Sequence, residues 1–145
     1  MSIIPGEDYH FEYQEEPIQE DEQVLNDGIS DESAMKKNMA PIKPFRVFIK
    51  DSNGTVLGGA SGTIFYGSLY VDMLWLKEEL RGKGLGKKLM MEAEKIGRER
   101  KCIFVTLNTM DWEALSFYQK LGYEIEFVRD GYTNESKMYM LRKTL

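Results

Sequence analysis

The hydrophobic and polar positions of the chain follow two spacings, one typical of helices and one typical of strands. Apolar residues recur at helical spacing in two segments, which gives each predicted helix a single apolar face. These faces consist of Leu85, Leu89, Ala93 and Ile96 in the first segment and of Ala114, Phe117, Tyr118 and Leu121 in the second. Most other apolar positions alternate with polar ones or form short runs, as they do in half-buried and fully buried strands.

Seven segments carry the strand pattern, and turn-forming residues separate them. They cover residues 9–13, 45–50, 55–67, 68–76, 102–107, 123–130 and 136–141. The fourth segment, SLYVDMLWL, is so apolar that burial of both its faces is expected, with Trp75 packed in the core. The last two segments are predicted to pair as an antiparallel hairpin.

Capping residues indicate where the helices begin and end. One helix is predicted over residues 17–28 and a short second one over residues 30–35. A third follows the glycines before Leu85, and a fourth has Asp111 as its expected N-cap. With the strands, this order predicts an α/β (α+β) fold in which a mixed central sheet of about six to seven strands has helices on both faces.

Length and composition favour one globular domain over residues 1–145. Hydrophobic residues make up 42% of the chain, which is enough for a core and argues against disorder. No apolar run reaches the roughly 18 residues that cross a bilayer, so a membrane is not an expected partner. The start lacks the features of a secretory signal and Cys102 is the only cysteine, which together predict a cytoplasmic protein.

Charge is unevenly distributed along the chain, although the net charge is only −5. Residues 1–35 contain 11 Asp or Glu and no Lys or Arg, which leaves 13 of the 24 acidic residues against all 19 basic residues in the remainder. The basic remainder suits an anionic ligand, and the acidic part suits a cationic one. A sequence pI near 5.0 argues against nucleic acid as the anion.

The loop RGKGLGKK, residues 81–88, follows a predicted strand and opens a predicted helix. Such loops hold phosphates, because glycines allow close approach and the free amides at a helix start point at the anion. The ATP-binding P-loop does not fit, since Lys87 stands where that motif has glycine and no Ser or Thr follows the lysines. The glycines read GxGxG, not the dinucleotide GxGxxG, so that motif is also disfavoured.

Two segments together resemble the signatures of the GNAT N-acetyltransferases. Leu76 followed after four residues by RGKGLG resembles the acetyl-CoA-binding signature of that family. The segment DWEALSFYQKLGYE resembles its second signature, with matches at Ala114, Phe117, Tyr118, Lys120, Gly122 and Tyr123. The segments occur in the order and at the separation of the family, and the resemblance covers residues 43–145 well. It is closest to small stand-alone bacterial-type members.

The resemblance implies direct transfer of acetyl from acetyl-CoA to a primary amine. Residues 1–40 would then shape the acceptor side, and residues 43–145 would form the acetyl-CoA-binding core. Loop amides would hold the pyrophosphate, and a bulged, splayed strand edge would pair with the pantetheine arm. The implied binding residues are Leu74, Trp75, Leu76, Arg81, Gly82, Lys83, Gly84, Leu85, Gly86, Lys87, Asn108 and Tyr118.

One departure from the family pattern concerns the pantetheine contact. Asp111 stands where the family has an Asn, and a carboxylate cannot donate a hydrogen bond as an amide does. Asn108 is the candidate substitute for that contact. The role of Asp111 beyond that of a helix cap stays open.

Two residues are the catalytic candidates. Tyr118 matches the family's tyrosine, which protonates the departing thiolate, and an ordinary tyrosine pKa near 10 suits a proton donor. Asp72 is a carboxylate in an apolar strand, where it needs a partner or a function. Strand alternation predicts that Asp72 lies on the same face as Leu74 and Leu76, so Asp72 is the candidate base or amine anchor. A water chain is the alternative. No His and Cys cluster has metal spacing, so no metal is expected.

The acceptor is the least specified part of the prediction. The acidic excess near the start favours a small cationic amine as the acceptor. A non-catalytic CoA-binding or regulatory module on the same fold is the alternative, and a nucleotide-binding protein is a weaker one. A homodimer is plausible because a terminal hairpin can pair across chains.

Overall fold

Six strands, three α-helices and two single-turn 3-10 helices make up the structure, a computed structural model that describes residues 8–145. The start of the chain, where no secretory signal was recognised, lies partly outside this range. The elements in chain order are α1 (Gln19–Lys37), β1 (Lys43–Lys50), β2 (Val56–Phe65), β3 (Ser68–Leu76), the 3-10 turn Glu78–Leu80, α2 (Leu85–Glu99), β4 (Phe104–Met110), α3 (Leu115–Lys120), β5 (Glu124–Tyr132), the 3-10 turn Thr133–Glu135 and β6 (Ser136–Thr144).

The strands form one mixed sheet in the order β1-β2-β3-β4-β6-β5. Only β3 and β4 pair in parallel, because α2 carries the chain back across the sheet between them. All other neighbouring strands are antiparallel, including the predicted C-terminal hairpin of β5 and β6. The α/β (α+β) fold class and the mixed sheet are therefore confirmed.

One face of the sheet, which we call the core face, packs against α2 and α3. The largest side chains of this layer that are less than 2% exposed are Leu69, Met90, Val105, Leu107 and Leu141. The predicted apolar face of α2 is confirmed, since Leu89 and Ala93 are buried in this layer and Ile96 packs against it. Gly86 allows α2 to approach α3, because a Cβ there would lie 3.3 Å from the Phe117 ring.

The opposite face, which we call the open face, is covered by α1 at its β1 end, and no other helix of residues 8–145 is seen to cover it. There α1 lies beside the sheet, and the Ile42 amide donates to the buried Ser30 hydroxyl at 3.2 Å. The prediction of two N-terminal helices is wrong, because α1 is a single helix that runs through Gly28. Gly28 does not break it, since a helix interior tolerates glycine at a cost of about 1 kcal/mol.

Two further local predictions are wrong. Residues 9–13 alternate like a strand but pair with no other strand of residues 8–145, so no ladder holds them. Asp111 is not a helix cap, because α3 begins later, at Leu115. The Asp111 amide instead donates to the carbonyl of Lys137, which ties the turn after β4 to the sheet.

No helix in residues 8–145 combines the length and the apolar character that a membrane span requires.

Candidate acetyl-CoA site

A bulge in β3 is the first feature that shapes the site. Across the β2–β3 pair, Ser61 lies opposite Met73 while Gly62 lies opposite Val71, so Asp72 is an extra residue in β3. Such a bulge bends the strand and re-aims the side chains that follow it.

Glycine is required opposite the bulge. A Cβ on Gly62 would lie 1.8 Å from the carbonyl oxygen of Tyr70, far inside the closest contact that real Cβ atoms make. Backbone carbonyl oxygens also come close at Gly58 and Gly59, where an added Cβ would lie 2.7 Å and 2.6 Å from them. The glycines of β2 therefore let the neighbouring strands come close.

Beyond the bulge, β3 and β4 separate into a fork. Their parallel pairing covers only Ser68–Val71 against Phe104–Leu107, although both strands continue further. The fork opens a cleft of about 310 Å³. Its lining consists of Val71, Asp72, Met73, Leu74, Trp75, Leu107, Asn108, Thr109, Glu113, Ala114, Phe117 and Tyr118. The unpaired strand edges leave main-chain groups that an amide-bearing ligand can bind as an added strand does.

Because of the bulge, two predictions about β3 are wrong. Leu74 packs against the core, whereas Trp75 is 55% exposed and Met73 is 66% exposed, so burial of both faces ends at the bulge and Trp75 is not a core residue. Asp72 does not share the face of Leu74 as strand parity predicts. It accepts a hydrogen bond from the Ser61 hydroxyl at 3.0 Å, and Ser61 lies on the open face because its neighbour Ala60 is buried on the core face.

Two more polar side chains lie on the open face where the strands part. Tyr70 precedes the bulge between the buried residues Leu69 and Val71, so its ring is on the opposite side of the sheet. Asn108 is the first residue of β4 beyond the pairing, and its amide donates to the Tyr70 hydroxyl at 3.2 Å. Burial, and after it the Asp72 carboxylate, raises the pKa of Tyr70 above its usual value.

Tyr118 enters the cleft from the core side, on α3. Its ring is only 7% exposed and meets the rings of Phe117 and Tyr123 edge-on, at centroid distances of 5.0 Å and 6.0 Å. Burial, with a further contribution from the Glu113 carboxylate, raises the pKa of Tyr118 to about 12. The ordinary value near 10 expected from the sequence is thus too low, and the phenol keeps its proton throughout the physiological pH range.

The Glu113 carboxylate gives this pKa shift a direct test. Glu113→Gln removes a negative charge, so the pKa of Tyr118 should fall below 12 yet stay above 10, because burial is the larger cause. The Met110 amide donates a hydrogen bond to Oε1 of Glu113 at 2.9 Å, and the glutamine side chain keeps an oxygen that can accept this bond. The measurement is a tyrosinate absorbance titration, taken as the difference from the same protein carrying Tyr118→Phe. Glu126→Gln on the remote strand β5 is the control, and equal pKa values in both variants would contradict the assignment.

The glycine loop lies at the end of β3 and leads into α2. Gly82 and Gly84 have φ values of +77° and +80°, which strongly favour glycine, and a side chain there would meet only open space. The first helical bond of α2 runs from the Lys88 amide to the Gly84 carbonyl, so the amides before it lack intrahelical partners. They belong to Leu85, Gly86 and Lys87, and they suit an anion at the positive end of the helix dipole.

Both the amide and the side chain of Arg81 make hydrogen bonds within the protein. The Arg81 amide donates to the Glu78 carbonyl, and the side chain turns back so that Nε donates to the Leu76 carbonyl at 3.0 Å. This bond fixes the end of β3 against the loop. Lys83 and Lys87 are both exposed beside the loop. The predicted binding residues thus occupy the fork and the loop that adjoins it, and whether they bind CoA stays a prediction.

Sequence reasoning missed Tyr70, Ser61 and Glu113. Tyr70 and Ser61 gain their positions from pairing across strands, which a linear pattern does not reveal. Glu113 could have been noticed, since it lies within the second signature segment. Residues 8–145 contain no group of three or more His, Cys, Asp or Glu arranged to hold a metal ion, and the expectation of a metal-free site stays a prediction.

Comparison with known proteins agrees with this geometry. Residues 7–123 match the model of the acetyltransferase (GNAT) family. The chain belongs to the GNAT family. Blasticidin-S acetyltransferase from Streptomyces morookaense is 35% identical to this GNAT protein over 86 residues, which are 59% of this chain and 63% of that one. The aligned part therefore spans less than two thirds of that curated relative.

Two solved structures have the same fold as this GNAT protein. A protein from Agrobacterium tumefaciens superposes with a TM-score of 0.79 over 94% of this chain and 100% of its own, at 24% identity. An acetyltransferase from Bacillus cereus superposes with a TM-score of 0.74 over 94% and 98%, at 27% identity. The predicted family is confirmed.

Proposed function

We propose that this GNAT protein transfers acetyl from acetyl-CoA to a primary amine, with the thioester held in the fork between β3 and β4. The fork itself carries the proposal, because a buried phenol lines it and the N-terminus of α2, with its free amides, packs through Gly86 against Phe117 in its lining. A thin amide-bearing arm fits unpaired strand edges, and a pyrophosphate fits the loop amides. The residues present thus fit the donor that the family uses.

The reaction proposed here is a direct displacement. The neutral amine nitrogen attacks the thioester carbonyl carbon, so a C–N bond forms and the C–S bond breaks. A backbone amide of Leu74–Leu76 stabilises the negative charge that develops on the carbonyl oxygen. Tyr118 gives its proton to the departing thiolate, and the one proton that the amine loses passes to Asp72 or to solvent. Proton exchange with solvent then restores Tyr118 and Asp72. The balance is one acetylated amine and one free thiol for each acetyl-CoA.

Asp72 suits the role of base because of where the bulge places it. It lies at the mouth of the fork, and the Ser61 hydroxyl fixes Oδ1 at 3.0 Å, while no side chain in residues 8–145 donates to Oδ2. A water chain to solvent is the alternative route, since Asp72 is exposed. Asp72→Asn separates the two routes. Loss of kcat with unchanged acetyl-CoA KM supports the carboxylate, and an unchanged kcat supports the water chain.

The acceptor is proposed to be a small cationic amine. An open cavity of about 930 Å³ lies between α1 and the open face of β1 and β2, and its size suits a small molecule. Carboxylates of Glu22, Asp27 and Asp31 line its α1 side, and Arg46 and Lys43 line its floor. Thr63 in the lining of this cavity pairs with Tyr70 across β2 and β3, and Tyr70 is hydrogen-bonded to Asn108 in the lining of the fork. Residues 1–40 thus take the predicted acceptor side in this proposal.

A panel of primary amines of matched size tests the acceptor. We expect turnover, followed as thiol release from acetyl-CoA, to favour amines with a second positive charge over neutral and anionic ones. Asp27→Asn combined with Asp31→Asn should weaken this preference by raising the KM of the cationic amines, while the acetyl-CoA KM stays constant. Asp51→Asn, in the β1–β2 turn, is the matched control. Preference for a neutral or anionic amine would contradict a cationic acceptor and leave acetyl transfer intact.

The rival function is a CoA-binding module without catalysis. Asp111 in place of the family's Asn favours it, because one donor to the pantetheine arm is absent. Tyr118 in the cleft disfavours it. Stabilisation by CoA with no turnover on any amine would decide for the module. A homodimer stays a prediction.

A further inference from the structure

The open face of the fork carries three side-chain oxygens that the reaction outlined above leaves partly unused. They belong to Asp72, Tyr70 and Asn108, and no two of these residues are adjacent in the sequence. Their common position results from the bulge in β3 and from the parallel register that pairs Tyr70 with Thr106, two residues before Asn108. Asp72 and Asn108 line the fork that is proposed to hold the thioester, and Tyr70 is hydrogen-bonded to Asn108.

Within residues 8–145, side-chain hydrogen bonds orient each of these groups and leave it with an unused acceptor position. The Ser61 hydroxyl occupies Oδ1 of Asp72, which leaves Oδ2. The Asn108 amide nitrogen donates to the Tyr70 hydroxyl, which leaves one lone pair on the phenol and both lone pairs on the Asn108 Oδ1. The hydrogen bonds therefore orient the three groups without using up their capacity to accept.

A primary ammonium group has three N–H donors, and a secondary ammonium has two. Three oriented oxygens, of which one is a carboxylate, match the donor count and the charge of the primary group. A site built to bind donors rejects an analogue that lacks one, because a polar group is then left unpaired. The negative potential of Asp72, which is also one cause of the raised pKa of Tyr70, favours a cation at this point.

We infer that Asp72, Tyr70 and Asn108 together bind the acceptor ammonium group, and that Tyr70 and Asn108 make the enzyme selective for primary amines. Asp72 then removes the proton from the amine that the other two hold in place. Asn108 thereby takes a role on the acceptor side, in addition to the pantetheine contact expected from the sequence. This inference rests on the proposed acetyl transfer.

The test compares a primary amine that the panel shows to be turned over with its N-methyl derivative. Tyr70→Phe removes one oxygen and keeps the ring, so kcat/KM for the primary amine should fall about tenfold, the effect of one lost bond to a charged group. The N-methyl derivative should lose much less, and the acetyl-CoA KM should not change. Tyr66→Phe, an exposed tyrosine in the β2–β3 turn, is the matched control.

Asn108→Ala provides a second, independent variant. It removes both an acceptor and the bond that orients Tyr70, so it should also reduce selectivity, and the double variant should lose less than the sum of the single losses. If Tyr70→Phe does not fold, Asn108→Ala carries the same expectation.

The outcomes separate the inference from the proposed function. Equal losses on the primary and N-methyl amines, or no loss on either, overturn the inference while wild-type turnover upholds acetyl transfer. Absence of turnover by the wild-type chain on every amine overturns both. A selective loss on the primary amine supports both.

Discussion

Tyr118→Phe should lower kcat about 100-fold and leave the KM for acetyl-CoA nearly unchanged. The hydroxyl is the proposed proton donor to the thiolate, and general acid catalysis contributes about 100-fold to 10,000-fold. We place the effect at the low end because the raised pKa of Tyr118, about 12, makes the phenol a reluctant donor. The ring stays, so its edge-on contacts with Phe117 and Tyr123 and the packing of α3 should persist.

Steady-state kinetics at saturating amine measures this change, with Tyr66→Phe as the control. A fall in kcat with constant KM is the signature of an interaction made mainly in the transition state. Unchanged kcat would assign the proton donation to another group or to water. A large rise in the acetyl-CoA KM would instead make Tyr118 a binding residue.

Gly62→Ala should have the largest effect on stability. The new methyl group would lie 1.8 Å from the Tyr70 carbonyl oxygen. Neither atom can move by a side-chain rotation, because Gly62 and Tyr70 lie in paired strands of the sheet. Relief requires β2 and β3 to separate at the bulge, which should lower the free energy of unfolding by about 3 kcal/mol or more. Because the bulge also aims Asp72, acetyl transfer should be lost in whatever fraction remains folded.

Urea denaturation of Gly62→Ala and of Gly28→Ala makes a matched comparison. Gly28 lies inside α1 with nothing within 4 Å of its missing side chain, so alanine there should stabilise the protein by about 0.5–1 kcal/mol. Opposite signs for the two substitutions are the expected result. Equal stability of Gly62→Ala and the wild type would mean that the bulge adapts, and the tight β2–β3 approach would not define the site.

The sequence was sufficient for the parts of the fold that depend on local periodicity. The faces of α2 and the C-terminal hairpin follow from spacing along the chain, and the structure has both. The N-terminal part was predicted less well. Glycine is a residue type that commonly ends helices, yet α1 continues through Gly28. Residues 9–13 alternate like a strand but pair with no other strand in residues 8–145. A strand requires a neighbour, which periodicity does not supply.

For the site, motif residues were identified but their orientation was not. One extra residue at Asp72 reverses the parity of β3, so Trp75 is exposed and Asp72 joins Ser61 on the open face. The resemblance implied a bulged strand, but apart from the glycines opposite it nothing in the sequence placed the extra residue at Asp72. The raised pKa of Tyr118 likewise depends on burial, which the motif does not specify.

The central claim is that the fork positions a thioester for attack by an amine. The most direct measurement counts products after incubation with acetyl-CoA and a cationic primary amine, using mass spectrometry for the acetylated amine and a thiol reagent for CoA. The predicted result is equal amounts of both products, with the rate strongly reduced by Tyr118→Phe. Thiol release without an acetylated amine, or stabilisation by ATP or NAD but not by CoA, would contradict it.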